Sequence, residues 1–86
     1  MGKRFNFEVA EALSLKLYTV ADLLESENKT MKDKYTKLGE TFRDVGYTLY
    51  QLTFNECDSN ICDACATLRE LSSSLMVYAQ RLRESM

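Results

Sequence analysis

The 86-residue chain is long enough for one small domain, and a core of that size is marginal unless another chain adds to it. With 28% charged and 45% hydrophobic residues the balance is that of an ordinary soluble domain, and a net charge of -2 excludes a strong pull toward nucleic acid or anionic membrane. No apolar run approaches the roughly 18 residues that span a bilayer, and the absence of histidine removes the usual general base and the commonest zinc ligand.

Residues 1–7 read as an irregular or extended arm. Met1-Gly2-Lys3-Arg4 is basic, but Phe5-Asn6-Phe7-Glu8 is not the apolar core of a signal peptide, and Asn6 breaks a myristoylation motif. From Glu8 the period becomes helical. Val9, Leu13, Leu17, Val20, Leu24, Met31, Tyr35 and Leu38 follow three- and four-residue steps, with Asn28 filling one of them. The expected helix runs from about 8 to 38, roughly 45 Å at 1.5 Å per residue. Glu8 and Glu11 suit its positive end, and Lys34 and Lys37 its negative end. The polar stretch 25–30 does not break it, because the stripe resumes in phase at Met31.

A turn follows at about 39–45. Gly39 stands where a C-terminal cap is expected, Gly46 lies seven residues on, and Phe42-Arg43-Asp44 sits between them. Asp44 is the candidate N-cap of a second helix over about 45–84. Tyr47, Tyr50, Phe54, Cys57, Ile61, Cys65, Leu68, Leu75, Ala79 and Leu82 carry its stripe, with Ser72 at a polar step. Asn55-Glu56-Cys57-Asp58-Ser59-Asn60 has loop composition, but Cys57 is expected to keep the helix in phase through it. Two helices of similar length with a short connection imply one all-α domain over 1–86, an antiparallel two-helix hairpin. Leu15 and Tyr18 on the first helix, and Tyr47, Tyr50, Leu52 and Phe54 on the second, widen the apolar faces beyond one stripe. That predicts a partner interface there and a four-helix bundle made with a second hairpin.

No catalytic constellation is present, and neither a cofactor nor a metal site is expected. Cys62-Asp63-Ala64-Cys65 has C-x-x-C spacing, which brings two sulfurs to one redox or metal centre. With Cys57 as the one further thiol, the expectation is instead that Cys57 and Cys65 fill the core and Cys62 lies on a flank. Lys29, Lys32, Lys34 and Lys37 read as a solvated helix face. No Lys or Arg occurs between Arg43 and Arg69, which suits a protein–protein surface or plain core packing.

A long helix, a turn with an aromatic-x-acid triplet and a second long helix resemble the WXG (ESAT-like) proteins of type VII secretion. The resemblance covers nearly the whole chain, from Phe5-Asn6-Phe7-Glu8-Val9 to Leu75-x-x-Tyr78-Ala79-x-x-Leu82. Phe42-Arg43-Asp44 stands where that family has Trp-x-Gly. Phe54-x-x-x-Asp58 has the form of a motif associated with some partners of LXG toxins. Trp is absent, and the family's C-terminal Tyr-x-x-x-Asp/Glu signal is not found after the second helix. The resemblance implies a homodimer, or a heterodimer with the N-terminal region of an LXG-type effector. It also implies residence in the bacterial cytoplasm before export to the surface or the medium. Residues 37–46 also resemble the first helix of sorting-nexin BAR domains, where the segment runs straight through without a turn. A helical adaptor with no exported role is the third reading.

Overall fold

The computed structural model describes the backbone of residues 2–85 and the side chains of residues 7–85. Helix α1 spans Gly2–Thr41 and helix α2 spans Val45–Glu84. They pack antiparallel through a reversal of three residues, 42–44, into a rod of 63 × 16 × 15 Å. The fold is therefore an all-α helical hairpin. Both loop-like stretches, 25–30 and 55–60, are helical. The segment expected as an arm is helical too, from Gly2. Phe7 explains the longer helix: it packs with Ala10 and Ala79 at the far end of the hairpin, with the Arg83 guanidinium 4.8 Å from its ring centre. Glu8 and Glu11 accordingly lie inside α1, not in its first turn.

The seam between the helices is built from small and polar residues. Phe7, Ser14, Ala21 and Asn28 step forward by seven along α1, and they meet Ala79, Ser72, Cys65 and Asp58, which step back by seven along α2. Ser14 Oγ donates to the Ser72 carbonyl at 2.6 Å, and Ser72 Oγ returns a bond to the Ser14 carbonyl at 2.7 Å. Cys65 Sγ donates to the Ala21 carbonyl at 3.6 Å. Short side chains bonding the opposite backbone require close approach, which small residues allow. Leu17, Leu24 and Met31, and across from them Ile61, Leu68 and Leu75, fill the alternate steps and are half-buried.

This seam lies one position away from the expected stripe at several steps. Val9, Leu13 and Val20 are 49%, 48% and 40% exposed. Tyr50 and Cys57 are exposed as well, while Gln51 and Asp58 turn inward. A helix with one neighbour buries only a narrow strip. Here the closest strip is the one with the smallest side chains, and the bulkier stripe beside it remains on the outside.

At the turn, Tyr35 and Tyr47 stack with ring centroids 4.5 Å apart and planes 7° apart, and Phe54 stacks on the other face of Tyr35 at 3.9 Å. Tyr35 Oη donates to the Tyr47 carbonyl at 2.6 Å, and Tyr47 Oη donates to the Tyr35 carbonyl at 3.4 Å. Asp44 caps α2 as expected: its backbone is extended, and Oδ1 accepts from the Tyr47 amide at 2.9 Å. Gly39 is not the cap. The helix continues through it to Thr41, and Gly39 is buried under the Tyr47 ring, where any Cβ would overlap Oη and Cζ.

Candidate functional site

The seam divides the hairpin surface into two flanks of different chemistry. One carries the ion pairs that bridge the helices. Arg69 reaches Asp22 at 2.8 Å and Glu25 at 2.7 Å, Arg83 reaches Glu11 at 3.7 Å, and Lys32 reaches Asp58 at 3.3 Å. Hydrogen bonds donated to Asp22 and Glu25 push the Arg69 guanidinium further toward its protonated form. These pairs are largely exposed, so they add little to stability. They nevertheless fix which sides of α1 and α2 share this flank. The other flank carries Val9, Leu13, Val20 and Leu23 from α1, with Leu71 and Tyr78 from α2. All six are between 40% and 62% exposed.

The residues singled out at the turn are brought together. Gly39 is buried, Gly46 is half-buried, and Phe42 and Asp44 are exposed. Phe42, Leu38, Tyr47 and Tyr50 line one shallow cavity of about 260 Å³ beside the Tyr35 ring. The residues expected at a partner interface divide into two groups. Tyr47 and Phe54 are engaged in the aromatic stack within the hairpin. Leu15, Tyr18, Tyr50 and Leu52 are exposed, Leu52 most of all at 75%. By helical position Leu15, Tyr18 and Leu52 lie on or behind the ion-pair flank, and the Arg69 guanidinium stands 5.9 Å from the Tyr18 ring centre. The pair Phe54 and Asp58 both face the seam rather than forming a free surface motif.

Asp58 anchors a polar layer that the apolar periodicity did not reveal. Its Oδ1 accepts from Asn28 Nδ2 at 2.6 Å and from Cys62 Sγ at 3.7 Å, and Lys32 approaches Oδ2. The Asn28 bond above all holds its carboxyl below the usual range, against the opposing effect of burial. Asn28 Oδ1 is buried without a hydrogen-bond partner, at a cost of about 1–3 kcal/mol. Such a layer favours one register: a slip of one heptad would place Asp58 against Ala21 or Tyr35.

The three cysteines do not converge. Cys65 is buried in the seam as expected, Cys62 is exposed on the ion-pair flank as expected, and Cys57 is exposed instead of filling the core. Burial, followed by the Asp58 charge, pushes the Cys62 thiol up, away from the thiolate that redox or metal chemistry uses. Among the described residues no group of three or more Cys, Asp or Glu side chains is placed to hold a metal ion. None of the described helices is long and apolar enough to cross a membrane. The chain matches no protein-family model, and no curated protein or solved structure is significantly similar to it.

Proposed function

We propose that the chain is a WXG-like partner protein of type VII secretion. It docks a second helical hairpin, the N-terminal region of an LXG-type effector, as a targeting or chaperone subunit. It acts in the bacterial cytoplasm before export, and leaves the cell with its cargo or is exported itself. The observation that supports this reading is where the bulky apolar residues stand. The hairpin buries Ser14, Ala21, Cys65 and Ser72 and leaves Leu15, Tyr18 and Leu52 in water. A helix apolar on more than one side needs more than one neighbour, and a second hairpin supplies it as a four-helix bundle.

Co-expression with an LXG toxin encoded beside the gene tests the reading. The two chains are expected to co-elute, and Leu52→Asp is expected to abolish capture while circular dichroism keeps its helical signal. An effector region that elutes alone beside the wild-type chain would overturn it. The BAR-type reading requires residues 37–46 to run through as one helix, and the reversal at 42–44 counts against it. A non-exported adaptor would use the same surface, and is distinguished by finding neither chain outside the cell in a secretion assay.

A further inference from the structure

The stretch between Arg43 and Arg69, which has no lysine or arginine, reads from sequence as a protein surface or as core packing. On one side of α2 the hairpin decides this in favour of surface. Val45, Leu49 and Leu52 are 75%, 68% and 75% exposed, so the core does not use them. Glu56, Asp63 and Glu70 continue the same side of the helix by steps of four and seven, turned away from the seam at Asp58, Cys65 and Ser72. The three carboxylates are exposed and stand about 10.5 Å apart along the helix. Among the described residues none of them takes part in an ion pair. The bases nearby are engaged elsewhere, Arg69 with Asp22 and Glu25, and Lys32 with Asp58.

We propose that this outer side of α2 docks a basic amphipathic helix of a partner protein. Val45, Leu49 and Leu52 are its apolar footing, at the i, i+4, i+7 spacing with which two helices meet along one face. Val45 and Leu49 also border an open depression of about 490 Å³, shared with Arg43, Asp44 and Thr48, that can take a side chain of the partner. The carboxylates set the partner's charge. A neutral helix would strip water from Glu56, Asp63 and Glu70 and return nothing, whereas lysine or arginine at every seventh position meets each in turn. From Val45 to Glu70 the face spans about 38 Å, the length of a helix of about 25 residues.

The same charges exclude other occupants. A second copy turned about Asp63 would oppose Asp63 to its own counterpart and Glu56 to Glu70. Anionic lipid and nucleic acid are repelled by an acidic row. There is surface to spare for a partner: the hairpin presents 6694 Å², whereas a compact monomer of its mass presents about 5,200 Å². The excess is more than the roughly 800 Å² that each side contributes to a standard interface. This inference deepens the proposed function, since Leu52 belongs to both. It rests on that reading for a helical partner and adds the partner's charge and the side of α2 that it covers.

A display library of 25-residue amphipathic helices, randomised at their polar positions and selected on the whole hairpin, tests the charge. Retained helices are expected to carry lysine or arginine at seven-residue intervals. They should bind the triple variant Glu56→Lys, Asp63→Lys, Glu70→Lys about tenfold more weakly or worse, and should weaken as salt is raised. The triple variant should itself select acidic helices. Leu49→Asp should also lose the retained helices, and circular dichroism should show full helicity for every variant. Neutral or acidic helices from the wild-type selection, no retained helix, or retained helices that bind the triple variant equally well would overturn the proposal. An effector region captured equally by wild type and triple variant, but lost with Leu52→Asp, would remove this inference and leave the proposed function standing. Basic helices retained while no effector region co-elutes would do the reverse.

Discussion

Gly39→Ala is expected to destabilise the hairpin, although in an exposed helical turn the same change stabilises by about 1 kcal/mol. The new Cβ would overlap Oη and Cζ of Tyr47 and stand 2.9 Å from Cε2. The ring is held where it stands: one face lies on Tyr35, the hydroxyl bonds the Tyr35 carbonyl, and the Arg43 guanidinium stands 5.6 Å from the ring centre. Displacing it forfeits the stack, about 0.5–1.5 kcal/mol. It also forfeits the Tyr47 hydroxyl bond to the Tyr35 carbonyl, about 1 kcal/mol. Against alanine's helical gain of about 1 kcal/mol, the net loss is about 1 kcal/mol. For a chain of this length that lowers Tm by about 4–8 °C.

The assay is thermal and urea unfolding followed by circular dichroism, at one protein concentration because pairing stabilises by mass action. The control is the same substitution in a Tyr47→Ala background. With the ring gone, Gly39→Ala should become stabilising, so the double-mutant cycle changes sign as well as size. A wild-type background in which alanine raises Tm would refute the packing role assigned to Gly39.

Asp44→Ala should cost about 1 kcal/mol by releasing the α2 cap, read from the urea midpoint at unchanged slope. Asp58 gives a pH dependence of definite sign. Its carboxyl titrates below the unfolded value, chiefly through the Asn28 hydrogen bond, so its contribution is complete above the ordinary carboxylate range and disappears as pH falls through the depressed value. Stability measured from about pH 5 down to pH 2 should fall more steeply for wild type than for Asp58→Asn, and parallel curves would contradict the assignment. In dilute solution, where the flank opposite the ion pairs is uncovered, a thiol reagent should modify Cys57 fastest and Cys62 more slowly. Cys65 should react only as the hairpin opens, and a Cys65 that labels as fast as Cys57 would place it outside the seam.

The hairpin was legible because its punctuation was. Asp44 stood at a helix start and caps one, and Asn28 held the phase across a polar stretch because it occupies a seam position. The side of each helix that faces its neighbour was less legible. In α1 two strips at three-four spacing run side by side, one through Val9, Leu13 and Val20 and the other through Ala10, Ser14 and Ala21. Ranking by hydrophobicity selects the first, whereas close approach of two backbones selects the second. The recurrence of small residues every seven positions, as at Cys65, Ser72 and Ala79, is the signal that would have identified the seam. Gly39 was ambiguous for a different reason. A glycine near the end of a helix reads as a cap, and only the position of a ring from the facing helix, here Tyr47, distinguishes a cap from a close contact.

The distribution of side chains also constrains which flank a partner covers. Ser14 is the largest fully buried side chain, and the buried hydrophobic residues besides Phe7 are alanines and one cysteine. Covering such residues contributes little, whereas fully burying a leucine or valine contributes about 1.5–3 kcal/mol. The side chains with the most to gain from burial therefore lie outside the hairpin, on both flanks. If the effector covers Leu15, Tyr18 and Leu52, Leu52→Asp should lose the effector while the hairpin keeps its helicity and its urea midpoint, because that side chain packs against nothing in the hairpin itself. Val20→Asp, on the opposite flank, should leave capture unchanged. A chain that loses capture with Val20→Asp and keeps it with Leu52→Asp would place the effector on the flank opposite the ion pairs.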